Sequence, residues 1–218
     1  MTRVQQRTWL RRRLNETTAD QWSDVSLNDY LNEGLHFMQQ EIEKIDPEAF
    51  VYEDSANIVA DQRKYAWPAN MKREVVLEAK FTAAATEYTK LSRVGLRKCD
   101  NPDTGQEYTY AHHGRYLKLQ ATPTVAVPAG LWLTYVPTLS MGDDADVPDI
   151  PVDVHMGIVL MAQLVAFGDS SGTADKEEVR KELADVILRL PMHYLKSGAE
   201  PDKFVVSSHY RMEPGDMD

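Results

Sequence analysis

The sequence predicts an α+β protein: a four-helix bundle formed by N- and C-terminal helix pairs, an inserted small antiparallel β unit, and a flexible C-terminal tail. Three observations predict it. Apolar residues recur at spacings of three and four near both ends of the chain, over residues 27–45 and 154–190. Between them, from Phe50 to Leu139, β-branched and aromatic residues gather in short runs divided by Pro, Gly, Asn and Asp. Finally, each helix pair has one apolar stripe to cover, and the two pairs do this most economically against each other. The expected divisions are residues 1–49 and 141–191 for the helices, 50–140 for the β unit and 192–218 for the tail.

Residues 3–15 read as a short helix, with Val4, Leu10 and Leu14 loosely on one side and arginines elsewhere. Thr17 to Gln21 form a polar link. A longer helix then starts at Ser26 as N-cap, with Asp29 reaching back as an acidic variant of a capping box and Val25 and Tyr30 stapling the start. Leu27, Leu31, Leu35, Met38, Ile42 and Ile45 make its stripe, and Pro47 stops it.

In the middle, Asn57–Ala60 and Lys64–Trp67 flank Asp61-Gln62-Arg63 as a hairpin. Runs at Glu74–Phe81 and Glu87–Leu91 follow, then a turn cluster at Asn101-Pro102-Asp103-Thr104-Gly105. Tyr108–Ala111 and Arg115–Leu119 flank His112-His113-Gly114, where glycine supplies the positive φ of a tight hairpin. The run Leu131-Trp132-Leu133-Thr134-Tyr135-Val136 has bulky side chains on both faces and reads as a strand covered on both sides. Pro151 then opens a third long helix with Val154, Ile158, Met161, Leu164 and Val165 in its stripe, closed by Gly168. Thr173 caps a fourth, with Val179, Leu183, Val186, Ile187 and Leu190, ended by Pro191.

Composition bounds the function. With 43% hydrophobic and 27% charged residues, the 218-residue chain can bury a core. Its most apolar run, Val152 to Phe167, contains Asp153, His155 and Gln163 and is shorter than the roughly 20 residues a membrane span needs. The basic N-terminus lacks an apolar stretch followed by small residues, so no secretory signal is expected. The single cysteine, Cys99, excludes an intramolecular disulfide and a multi-thiolate zinc site. Charge is uneven: Arg3, Arg7, Arg11, Arg12 and Arg13 precede the first acid, Glu16, and leave the rest of a chain of net charge −10 at −15. An acidic body disfavours wrapping nucleic acid, while the arginine arm is either a solvated helix face or a contact for a neighbouring subunit or acidic partner. A nucleic-acid-binding module using that arm is the alternative function.

Chemistry is sparse. Gly168-Asp169-Ser170-Ser171-Gly172 fits the pattern of a hydrolase nucleophile elbow at Ser170, with Asp175, Asp185, His193 and His209 downstream. The elbow requires a strand turning into a helix. Here a helix comes first, so a loop between two helices is the expected reading and a serine hydrolase the remote one. The acids Asp143, Asp144, Asp146, Asp149 and Asp153 lack EF-hand spacing and read as a loop feeding a helix N-terminus. His155, expected at the surface or partly packed, has no His partner at zinc-ligand spacing, nor do His36, His112 and His113. Cys99 follows Arg97 and Lys98, which favour a thiolate, but no His partner accompanies it. Trp22 and Tyr30 read as core rather than a stacking platform. No phosphate-cradling glycine loop occurs in the sequence. No catalytic residue, cofactor or metal is expected.

Several blocks in order carry a family resemblance. They are Arg11-Arg12-Arg13-Leu14; Trp22-Ser23-Asp24 leading to Leu27 and Tyr30-Leu31-Asn32-Glu33; and Asp61-Gln62-Arg63-Lys64-Tyr65 with Trp67-Pro68. Gly114-Arg115-Tyr116-Leu117-Lys118-Leu119 through Pro123, Leu133-Thr134-Tyr135, and Asp146-Val147-Pro148-Asp149-Ile150-Pro151 with His155 complete the series. From about Arg11 to Leu190 the chain resembles the head-to-tail connector (portal adaptor) proteins of tailed bacteriophages. It departs from them at Gly34, where a larger helix-former is expected, and residues 82–106 and 192–218 are too variable to match.

The resemblance implies a structural virion protein of the neck, assembled in the host cytoplasm, and not an enzyme. It implies a homo-oligomeric ring, usually dodecameric, joining the portal protein to the next tail component (nozzle, stopper or tail tube). The ring extends a channel through which DNA passes without sequence-specific binding. It also implies that the C-terminal segment reaches the portal, with Phe204, Val205, Val206 and Tyr210 as the gripping residues.

Overall fold

The computed structural model describes residues 1–16, 21–100, 108–168 and 173–194. The chain is α+β, with five α-helices and two small sheets among the described residues. It divides into two compact units: Met1–Phe50 with the described residues from Thr138 onward, and Val51–Pro137.

The first unit is helical. Helix α1 (Arg3–Arg13) starts at Thr2, whose side chain accepts from the Gln5 N–H while the Gln5 side chain accepts from the Thr2 N–H. Helix α2 (Asp24–Ile45) has its cap three residues before the expected Ser26. Ser23 is the cap, because its Oγ accepts from the Ser26 N–H at 3.0 Å. Val25 is 70% exposed and staples nothing; Trp22 instead meets Tyr30 edge to face at 5.7 Å. The stripe Leu27, Leu31, Leu35, Met38 and Ile42 is buried as expected.

A 3-10 turn at Val152–Val154 leads into helix α4 (His155–Phe167). Of the stripe expected on α4, Val154 and Ile158 are buried and the rest is corrected. Gly157, Val159, Leu160, Ala162, Gln163 and Ala166 are buried, while Met161, Leu164 and Val165 are only half-buried. The reason is position: α4 packs against α1, α2 and the last helix, so it is covered nearly all round. Helix α5 (Thr173–Tyr194) runs through Pro191 rather than ending there. In the last turn proline forfeits one hydrogen bond, and the burial of Leu190 and Tyr194 on either side offsets that loss. The Thr173 cap and the 101–105 turn lie outside the described residues and side chains.

Gly34 explains its own departure from the larger residue expected. A Cβ there would lie 2.4 Å from the Ile158 carbonyl oxygen, so α2 and α4 cross almost backbone to backbone.

The second unit holds strands β1 (Tyr52–Ile58), β2 (Lys64–Ala66), β3 (Met71–Ala79), β4 (Thr89–Lys90), β5 (Ser92–Arg93), β6 (Thr109–His113), β7 (Tyr116–Leu119) and β8 (Val127–Pro137). One sheet has the order β1-β8-β3-β4 and the other β2-β7-β6-β5. The β6–β7 hairpin turns at Gly114 with φ +62°, as expected. The hairpin at Asp61-Gln62-Arg63 is overturned, because β1 pairs with β8 and β2 with β7, in different sheets. The Asp61 N–H bonds the Pro123 carbonyl, so the segment crosses between sheets instead of folding back. Nor is the unit wholly antiparallel, since β5 and β6 run parallel.

A short helix, α3 (Leu96–Asp100), absent from the sequence reading, buries Cys99. Ile58, Tyr65, Leu77, Tyr110, Leu117, Leu131 and Leu133, drawn from both sheets, form one core. Strand β8 is central in its sheet, whereas β1 is an edge, where the Asp54 carboxylate accepts from the Ser55 N–H at 2.8 Å.

Candidate interaction surface

Helix α1 places its arginines by helical period. Positions 3, 7, 10, 13 and 14 turn towards the rest of the helical unit, and positions 4, 5, 8, 9 and 12 turn away from it. Arg7 makes a bidentate contact with Asp144, at 3.0 and 3.1 Å, and also reaches Asn28 and Asp24. Arg3 bonds the Met141 carbonyl at 2.8 Å and Asp144 at 3.2 Å. Arg11 reaches Asp24 at 2.7 Å, the Trp22 carbonyl, and Glu16. Arg13 bonds Gln163 at 2.6 Å and Glu182 at 2.7 Å, tying α1 to α4 and α5. These bonds shift the titrations in the expected senses. The Arg7 and then Arg3 hydrogen bonds hold the Asp144 carboxyl below its ordinary range against partial burial. Burial pushes the Glu16 carboxyl up, but N–H bonds from Trp22 and Gln21 and the Arg11 charge together bring it below.

Arg12 differs. It lies over the exposed Trp9 ring at 5.7 Å, and among the described residues it has no carboxylate partner. With Val4 and Thr8 it forms an outward face that is aromatic and cationic. On α2, Val25, Asp29 and Glu33 recur at four-residue spacing and are exposed; neither acid has a cationic partner among the described residues.

The remaining candidates fall elsewhere. Asp146 accepts from the Gly142 and Asp143 N–H groups, closing a turn, and Asp153 pairs with His193 at 2.5 Å. Among the described residues, no cluster of three or more His, Cys, Asp or Glu could hold a metal ion. His155 is fully buried, not at the surface. Its Nε2–H donates to the Ile150 carbonyl at 2.9 Å and its Nδ1 accepts from the Met1 amine at 2.7 Å, so it is held neutral, with burial lowering its pKa.

Cys99 is fully buried, its Sγ donating to the Lys118 carbonyl; burial pushes the thiol up, outweighing Arg63 and Lys118 nearby. Ser170, His209, Phe204, Val205, Val206 and Tyr210 lie outside the described residues. Of the other hydrolase candidates, Asp175 and Asp185 are exposed on α5, and His193 belongs to Asp153.

Sequence reasoning missed a cluster in the β unit. Glu74 on β3 accepts from Tyr110 on β6 and contacts His112, which stacks on Trp67 at 4.7 Å. Burial and then the Glu74 hydrogen bond raise the Tyr110 pKa. A shallow cleft of about 40 Å³, lined by Tyr65, Trp67, Pro68, Leu77, Leu117 and Leu131 among others, lies beside it. Also missed were Gln39 and Asn32, which accept from the Leu139 and Met141 N–H groups at 3.1 and 2.9 Å. A detectable signal existed: Gln39 and Gln163 fall on buried helix faces, where a polar residue marks a hydrogen-bonding anchor. Among the described residues no helix is long and apolar enough to cross a membrane.

Residues 5–190 match a family model described as SU10 adaptor protein. No curated protein matches the chain.

Proposed function

The chain belongs to the SU10 adaptor protein family, and from that premise we propose that it is a structural virion component of a tailed bacteriophage, an adaptor ring joining the portal to the next tail component. The observation that carries this reading is the extent of the match, which runs through the helical unit and the β unit alike. In this reading α1, α2, α4 and α5 act as a four-helix bundle, residues 50–140 are its β insertion, and identical copies close into a ring, dodecameric by the family resemblance. Ring closure needs a heterologous contact between two different patches of each copy. The DNA channel runs through the ring, and the acidic body, net −15 beyond the arginine arm, would let the duplex slide without adhering. The protein works by surfaces in the virion neck, after assembly in the host cytoplasm, and performs no reaction. Residues 192–218, with Phe204, Val205, Val206 and Tyr210, grip the portal, and the arginine arm orients the subunit against its neighbours.

The experiment follows directly. Purified chain is mixed with the portal protein of the same phage and imaged by electron microscopy. The intact chain should add a ring below the portal, and a chain deleted for 195–218, which keeps the buried Tyr194, should fold and fail to bind. Undiminished binding by the truncated chain overturns the gripping role, and no complex with the intact chain overturns the adaptor reading.

A further inference from the structure

Of the five arm arginines, four are already satisfied by the chain's own groups. Arg3 and Arg7 share Asp144, Arg11 holds Glu16 and Asp24, and Arg13 holds Glu182. They fix the roll of α1, and that roll determines which residues face outward. The outward residues include Val4, Thr8, Trp9 and Arg12, with Trp9 43% exposed beneath the Arg12 guanidinium. A large aromatic with a cation on its face is a costly combination to leave in water and a common anchor at interfaces.

The acidic counterpart is on the same unit but on another helix. Asp29 and Glu33 project from α2 opposite its buried stripe, one turn apart, with the exposed Val25 one turn before them. Like charges at this spacing repel, which destabilises a helix slightly. Among the described residues no cation relieves them: Lys44, three turns further along the same helix, is taken by Glu41, and the arm arginines reach Asp24 instead. Each face therefore carries what the other lacks, one aromatic and cationic, the other acidic with an apolar end.

We propose that Trp9 and Arg12 on α1 of one copy dock against Val25, Asp29 and Glu33 on α2 of the next copy of this chain. The contact rests on the ring reading and specifies it. It uses two different patches of one subunit, as a head-to-tail ring requires. Charge complementarity selects the register and quickens the encounter, and Trp9 over Val25 supplies the apolar centre.

Sedimentation velocity of the full chain over a concentration series, alone and with portal, tests it. Arg12→Glu and the double variant Asp29→Lys/Glu33→Lys should each weaken self-association about tenfold or more, and raised salt should weaken the wild type. The triple variant, with the charges exchanged, should recover to within about threefold of wild type. All three sites are exposed, and circular dichroism checks that each variant is folded. Wild-type association in both one-sided variants, or a triple variant as weak as either, overturns this contact while leaving the ring intact. A wild-type chain that stays monomeric even with portal overturns the ring reading, and this contact with it.

Discussion

The helical unit and the β unit are built on opposite plans. In the first, aliphatic side chains dominate an interior whose polar members, Gln6, Gln39, His155 and Gln163, are neutral, and the ionic groups form a belt at its margin, where Arg3, Arg7, Arg11 and Arg13 meet acids from the segments around them. In the second, a glutamate, a tyrosine and a histidine are drawn partly inside, joining β3 of one sheet to β6 of the other. Helices satisfy their own backbones, so their packing is a matter of shape and close approach. Two short sheets have little area with which to hold each other, and specific polar bonds fix their alignment. The first unit should therefore be sensitive to volume and the second to hydrogen bonding.

The sharpest way to break this contrast is Gly34→Ala. The added methyl meets the Ile158 backbone, which cannot rotate away, so α2 and α4 must separate. The expected loss is about 3 kcal/mol, read as a lowered denaturant midpoint in the helical unit. A neutral result would show that the crossing is loose. Next in size is Glu74→Ala, which orphans the Tyr110 hydroxyl and the His112 ring and should cost the β unit about 2 kcal/mol. Tryptophan fluorescence separates the units, because Trp9 and Trp22 report the helices while Trp67 and Trp132 report the strands. Equal losses from both reporters would contradict the contrast.

The smallest effect is in pH. Burial lowers the His155 pKa from its ordinary 6.5, so the unfolded chain binds a proton there before the folded one does. Its stabilising share is complete above pH 6.5 and is lost as pH falls below that value, and it belongs to the helical unit. Burial raises Tyr65, Tyr88 and Tyr110 in the β unit, against Tyr194 alone in the helical unit. Tyrosine held neutral stabilises below pH 10 and ceases to as pH rises past it. Melts at pH 5.5 should thus weaken the helical reporters first, and melts above pH 10 chiefly the strand reporters. His155→Gln should abolish the acid response, and its persistence would assign that response elsewhere.

The same contrast governs what could be read from sequence. The α2 stripe is legible because helix burial follows a period of 3.6, and the β6–β7 hairpin because Gly114 marks a local turn. Ser23 and Ser26 both suit a cap, and only the packing of Trp22 on Tyr30 selects the earlier one. The false hairpin at Asp61 fails for a deeper reason. Strand pairing is chosen by partners far along the chain, β8 for one arm and β7 for the other, and no local pattern names them. Likewise the arm's arginines are visible in sequence, but their acids at Asp144 and Glu182 are more than 130 residues away. The short helix around Cys99 has too few residues to show a period.

Among the described residues strand β1 ends its sheet, and there Asp54 turns its own carboxylate onto the Ser55 N–H. A bare edge of this kind is a template on which a second chain can grow as an extra strand, and the hazard rises with local crowding. By occupying that donor and setting a negative charge beside it, Asp54 makes the margin a poor template for a stray strand. In the proposed ring, a margin blunted in this way leaves recognition between neighbouring copies to helices.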